Sequence, residues 1–146
     1  MPSIMRSMNV ISRCQTVYRE ELLDNNIPPS HQHIILSICK KPGYPQEELA
    51  TDLLLNKSTI ARALAKFEEK GYVERKLNEQ DKRETLVYPT KKLIDELPKL
   101  KEMMKEWNNI LSEDISEEDI ETFKRIASKM EQNARKAVEN LLKEKK

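Results

Sequence analysis

Glycine is nearly absent from this sequence. Of 146 residues only Gly43 and Gly71 lack a side chain, so no loop can bring backbone amides around a phosphate through closely spaced glycines. There is no G-x-G-x-x-G, no Walker loop and no G-x-S-x-G elbow, which excludes dinucleotide-binding, P-loop and α/β-hydrolase chemistry. Helix is the natural alternative, since charged residues make up 35% and hydrophobic ones 38% of the chain, a balance suited to well-solvated helix faces. The length fits one domain, able to bury roughly 70% of the surface of its unfolded form. Lys plus Arg number 26 against 25 Asp plus Glu, so overall charge names no partner. No apolar run is long enough for a membrane span and the first residues lack a signal-peptide stretch, which predicts a cytoplasmic protein. Cys14 and Cys39 have no C-x-x-C spacing and read as small core residues.

Hydrophobic spacing divides the chain into helices. Ile4, Met8, Ile11, Cys14, Tyr18 and Leu22 recur at three and four and predict a long first helix closed by Asn25, Asn26, Pro28 and Pro29. Ser30 is expected to cap a second helix with Ile34, Ile35 and Ile38 inward, stopped by Lys40 to Gly43. Pro45 suits the first position of a short third helix over Gln46 to Leu53. Asn56 predicts the cap of a fourth helix, which runs to Lys70 and ends at Gly71. Tyr72 to Leu77 and Glu84 to Tyr88 then have the character of two strands around a charged tip. Thr90 can cap a fifth helix carrying Leu93, Leu97, Leu100, Met104, Trp107 and Leu111, with Pro98 expected to kink it. Ser116 with Asp119 resembles a capping box for a sixth helix through Phe123, Ile126, Met130, Ala134, Ala137 and Leu141, followed by a fraying lysine tail at 143–146.

This order, helix, short helix, helix and hairpin, is that of a winged helix-turn-helix, whose second paired helix enters the major groove. The fold expected is therefore mainly α with a small β-hairpin wing, plus a terminal-helix dimerisation region. At about 100° per residue, Ile60, Leu64 and Phe67 share one side of the fourth helix while Thr59, Arg62 and Lys66 share the opposite one. Ser58 and Thr59 can bond phosphates or base edges, Arg62 can take guanine bidentately, and Lys66 offers a point charge. Residues 56–86 hold eight Lys or Arg against six Asp or Glu, so direction rather than net charge has to carry DNA binding. Arg83 at the wing tip suits a narrow minor groove, with Asp81 holding its guanidinium.

The run Glu48-Leu-Ala, the stretch Asn56 to Arg75 ending Lys-Gly71-Tyr-Val-Glu-Arg, and the wing motif Asp81-Lys82-Arg83 resemble the MarR family of multiple-antibiotic-resistance regulators. The resemblance covers nearly the whole chain and departs from the family after the wing, where Pro89-Thr90 is followed by Leu93 instead of glycine. It implies a single MarR-type domain over 1–146, with a DNA-binding part at 30–90 and dimerisation helices at 1–24 and 91–142. It also implies a cytoplasmic homodimeric repressor of an inverted-repeat operator, released by a small-molecule effector such as a phenolic or aromatic anion. Lys57, Ser58, Thr59 and Arg62 take the recognition-helix role, and Asp81 and Arg83 that of the wing. The implied effector pocket draws on Arg13, Tyr18, His33 and Trp107.

The dimer also follows from the residues themselves, because Ile4, Met8 and Ile11 at one end and Ala134, Val138, Leu141 and Leu142 at the other need cover. Two recognition helices about 34 Å apart would then read an inverted repeat. Two other readings compete: a winged helix kept as a protein-interaction module without DNA affinity, and a thiol-based redox sensor acting through Cys14. No metal or cofactor is expected. His31 and His33 point about 200° apart on a helix, and Glu113, Asp114, Glu117, Glu118 and Asp119 suit a helix start better than a calcium loop. No nucleophile stands beside a base, so no enzyme is expected.

Overall fold

The computed structural model describes residues 3–22, for Leu22 the backbone alone, and 27–145. The expected helix stop at Asn25 and Asn26 and the inward side chain of Leu22 lie outside the described residues. In order, the chain forms α1 (Ile4–Leu22), a 3₁₀ turn (Pro29–His31), α2 (Gln32–Lys40), β1 (Tyr44–Pro45), α3 (Gln46–Asp52), α4 (Lys57–Glu69), β2 (Val73–Leu77), β3 (Thr85–Pro89), α5 (Lys91–Leu111) and α6 (Glu117–Glu144). Two compact units result, Met1–Glu102 and Met103–Lys146.

The first unit is the mainly helical winged helix-turn-helix that the spacing predicts, and its core holds the predicted inward residues of α2 and α4, whereas Cys14, expected in a core, is exposed. Ile34, Ile35 and Ile38 of α2, Leu49 and Ala50 of α3, Ile60, Ala63, Leu64 and Phe67 of α4, and Tyr72, Val73, Val87 and Leu93 around the wing are all buried. The sheet differs from expectation by one strand. Its order is β1-β3-β2, all antiparallel, with Tyr44 opposite Val87 and Pro45 opposite Leu86, so Pro45 ends a strand and caps α3 from outside instead of opening it. Ser30 does not cap α2 either. The adjacent Pro28 and Pro29 set a 3₁₀ turn first, and α2 begins after His31 without a side-chain cap bond.

Both glycines sit where a side chain would be strained, at φ +84° for Gly43 and +77° for Gly71. Gly71 ends α4 in a Schellman motif: Tyr72 N–H donates to Phe67 O at 2.8 Å and Gly71 N–H to Glu68 O at 3.0 Å. The turn between α3 and α4 solves the same problem without glycine. Leu54 takes φ +55° while Leu55 N–H reaches Ala50 O at 3.0 Å, at a cost of about 1–2 kcal/mol for a left-handed side chain. Asn56 caps α4, its Oδ1 accepting from Thr59 N–H at 2.8 Å.

The end of α4, the wing base and the start of α5 are clasped together. Thr90 Oγ1 donates to Gly71 O at 2.6 Å, Thr90 N–H to Tyr72 O at 3.0 Å, and Lys92 Nζ to Lys70 O at 2.7 Å. Tyr72 OH donates to Glu96 Oε2 at 2.7 Å, and Lys92 Nζ lies 4.8 Å from the centre of the Tyr72 ring. A sequence-distant feature fixes the start of α1's neighbour: Arg19 is buried, donating to Ile27 O at 3.2 Å and Gln32 Oε1 at 3.5 Å, and burial pushes its pKa down.

A second clasp holds α3 to β1. Tyr44 OH donates to the Asp52 carboxylate, and Lys41 Nζ sits 4.4 Å over the Tyr44 ring while pairing with Glu48 at 2.8 Å. The hydrogen bond to Asp52, then burial and the nearby charges of Asp52 and Glu48, push the Tyr44 phenol up to about 12. A raised pKa means that the stabilisation is complete below the free phenol's value of 10.0 and is lost as pH rises through about 12. In an absorbance titration, the phenol missing from Tyr44→Phe is expected to be one that ionises near 12; a missing phenol that ionises near 10 would contradict the clasp.

In the second unit α6 starts as expected, with Ser116 Oγ accepting from Asp119 N–H at 3.1 Å and acidic residues in the first turn. It stays helical through Glu144, into the predicted fraying tail. None of its 28 residues is buried, and Phe123, Ile126, Leu141 and Leu142 are exposed.

Candidate nucleic-acid interface

The outward side of α4 is built by the packing of its inward side. Ile60, Leu64 and Phe67 are at most 1% exposed, which turns Arg62 and Lys66 to solvent. Neither enters an ion pair among the described residues, so both cations remain available to an outside anion. Ser58 is exposed and its Oγ bonds Asn56 Oδ1 at 2.9 Å, while Thr59 is half-buried with its backbone N–H already spent on the cap. Lys57 is exposed but paired, its Nζ 3.1 Å from Glu47 of α3. His31 stands edge-on to Phe67 with ring centres 6.1 Å apart, and burial together with the charge of Lys66 lowers its pKa.

The Glu68 side chain ties α4 to β2 of the wing. Glu68 accepts from Arg75 of β2 twice, from the backbone N–H and from Nη2, each at 3.2 Å, and the guanidinium holds the carboxyl below its ordinary value. Beyond Leu77 the strands are bridged by Asn78 Nδ2 to Glu84 Oε2 at 2.7 Å. At the tip, Asp81 Oδ1 accepts from both the backbone N–H and Nε of Arg83 at 3.1 Å. The Arg83 side chain is nonetheless 92% exposed, so it is aimed without being covered. Lys82 beside it is exposed as well. The resulting surface carries guanidinium, ammonium and hydroxyl groups on a helix and a neighbouring loop, a set suited to phosphates and base edges.

The implied effector residues fall on both units. Arg13 and His33 are exposed, Tyr18 is half-buried and Trp107, in the second unit, is buried. A cleft of about 380 Å³ in the first unit is lined instead by Leu36, Cys39, Lys40, Leu97 and Lys101. There burial raises the Cys39 thiol pKa, with Lys101 acting in the opposite direction. Cys14 is exposed, and both thiols are free. Among the described residues no group of three or more His, Cys, Asp or Glu side chains could hold a metal, and no helix is long and apolar enough to cross a membrane. The Glu47–Lys57 pair and the Tyr44–Asp52 clasp were not legible in the sequence, because each joins residues brought together only by the turn around α3.

Comparison with known proteins gives the same assignment. Residues 27–85 match the model of the MarR family. The uncharacterized HTH-type transcriptional regulator YybA of Bacillus subtilis (strain 168) is 25% identical over 134 residues, covering 91% of this chain and 89% of the relative. The HTH-type transcriptional regulator BilQ of Clostridium symbiosum (strain WAL-14163) is 29% identical over 112 residues, covering 71% of this chain and 78% of the relative. A solved MarR transcriptional regulator from Methanosarcina mazei Go1 matches with a TM-score of 0.83 at 25% identity, over 91% of this chain and 96% of that one. The match over residues 27–85, together with a winged-helix fold shared over nine-tenths of the chain, makes this chain similar to the MarR-family transcriptional regulators.

Proposed function

We propose that this regulator acts in the cytoplasm as a homodimeric repressor on an inverted-repeat operator and loosens its hold when a small aromatic anion binds. The observation that carries the DNA part is the solvent-facing side of α4, where Arg62 and Lys66 enter no ion pair among the described residues, beside the exposed Arg83 of the wing. In this reading Ser58, Thr59 and Arg62 meet base edges, Lys57 and Lys66 meet phosphates, and Arg83, oriented by Asp81 and flanked by Lys82, enters the minor groove. The dimer is supported by α6, which has no buried residue and leaves Phe123, Ile126, Leu141 and Leu142 exposed, and by the exposed Ile4, Met5 and Ile11 of α1. A second copy would cover them and set two reading heads on one face of DNA. The effector rests on the family resemblance, with Arg13, Tyr18, His33 and Trp107 as its candidate lining.

Selection of genomic fragments on the purified protein, followed by a salt titration on the recovered duplex, tests the DNA reading. The expected log affinity falls linearly with log salt, by about 0.9 for every phosphate neutralised. Binding that ignores salt, or no binding to any fragment, would overturn it and favour a protein-interaction module. Repeating the titration with phenolic ligands tests the release.

A further inference from the structure

Lys57 differs from the other cations of the α4 face in being already held. Its Nζ lies 3.1 Å from Glu47 Oε1, and both side chains remain about three-quarters exposed at 76% and 73%. The two residues come from different helices, Glu47 from the first turn of α3 and Lys57 from the first position of α4, and they face each other across a cleft of about 300 Å³ that Ser58 and Ala61 also line. A carboxylate is the protein's nearest chemical equivalent of a phosphate oxygen pair, and this one stands at the amino end of the helix read as the DNA-facing one. By contrast Glu48, its neighbour in sequence, is committed to Lys41 at 2.8 Å.

We infer that Glu47 is an internal competitor for Lys57, occupying the ammonium group in the free protein so that the DNA backbone gains this contact only by displacing it. The inference rests on the DNA-binding reading of α4. An exposed ion pair is weak, in the range that a phosphate can displace. Glu47 therefore does not block binding. It lowers sequence-independent attraction, because every duplex must break the same pair before Lys57 contributes. Arg62 and Lys66, which have no such competitor among the described residues, carry the full attraction.

Three variants, Glu47→Gln, Glu48→Gln and Glu47→Gln combined with Lys57→Ala, separate the competitor from a mere change of net charge. Gln preserves size and helix propensity, and equal melting temperatures check that the fold is kept. Anisotropy titrations over a salt series, on the selected duplex and on a scrambled one, are the readout. Glu47→Gln is expected to tighten both duplexes by about 1.5- to 5-fold, the range spanned by breaking an exposed pair, and to steepen the log–log salt slope by up to about 0.9. Glu48→Gln removes the same charge from the same helix and is expected to fall short of both changes, and Lys57→Ala is expected to abolish the gain. Equal effects of the two Gln variants, or an unchanged slope for Glu47→Gln while the parent protein binds with normal salt dependence, would overturn the competitor and leave DNA binding intact. Absence of salt-dependent binding by every protein, the parent included, would overturn both.

Discussion

Truncating Phe67 to alanine is expected to cost about 3–5 kcal/mol of folding stability. That is a large share of the roughly 5–15 kcal/mol that holds an ordinary domain together. The ring is 1% exposed and stands edge-on to two others, His31 at 6.1 Å and Tyr72 at 6.5 Å, contacts that add to simple burial. Its carbonyl also receives the Tyr72 N–H that ends α4, so the cavity would open beside the helix terminus. Urea unfolding at a fixed protein concentration checks this, since an associating protein's midpoint shifts with concentration. Phe67→Leu, which keeps most of the volume, is expected to cost less than about 1.5 kcal/mol. A loss below about 1 kcal/mol for alanine would mean that α4 is seated by something other than this ring.

Replacing Arg83 with alanine is expected to weaken DNA binding by about 1–3 kcal/mol, roughly 5- to 150-fold, while leaving self-association unchanged. The size follows from two contributions. The groove contact itself is lost, and so is an advantage present beforehand: Asp81 accepts from the Arg83 backbone and Nε together, so part of the ordering of a long side chain is complete before DNA arrives. Such ordering otherwise costs about 0.5–1.5 kcal/mol. Asp81→Ala removes only the second contribution and is expected to show a correspondingly smaller loss. Gel shift with the selected duplex, alongside sedimentation for the oligomeric state, measures both. Unchanged affinity for Arg83→Ala would remove the wing from the interface.

What the sequence disclosed depended on how local the determining physics is. Asn56 and Gly71 mark the ends of α4 because capping and positive φ are properties of single residues within a turn of their partners, and both stand where expected. The alternation of buried and exposed residues along α4 is likewise a local periodicity, and it separated Ile60, Leu64 and Phe67 from Arg62 and Lys66 correctly. β1 was invisible because two residues, one of them proline, carry no strand signal; Tyr44 and Pro45 become a strand only by meeting Val87 and Leu86 more than forty positions later. Ser30 misled for the opposite reason: a genuine cap residue was overruled by Pro28 and Pro29, which impose a tighter turn. Leu54 gave no turn signal because the left-handed position that usually selects glycine is filled here by an aliphatic side chain. The ion pair of Glu47 with Lys57 spans ten positions across that same turn, a separation at which helix periodicity has no meaning.

The clasp formed by Thr90, Lys92, Tyr72 and Glu96 joins the end of α4 to the first turns of α5. Lys92 grips the carbonyl of Lys70, the residue that caps α4, and Thr90 grips those of Gly71 and Tyr72 that follow. Twisting the start of α5 therefore applies torque to α4 itself, with little slack to absorb it, and a rotation of a few degrees there re-aims Arg62 and Lys66 by a proportionate arc. In this chain the first turns of α5 are geared to α4 as a crank is to its shaft.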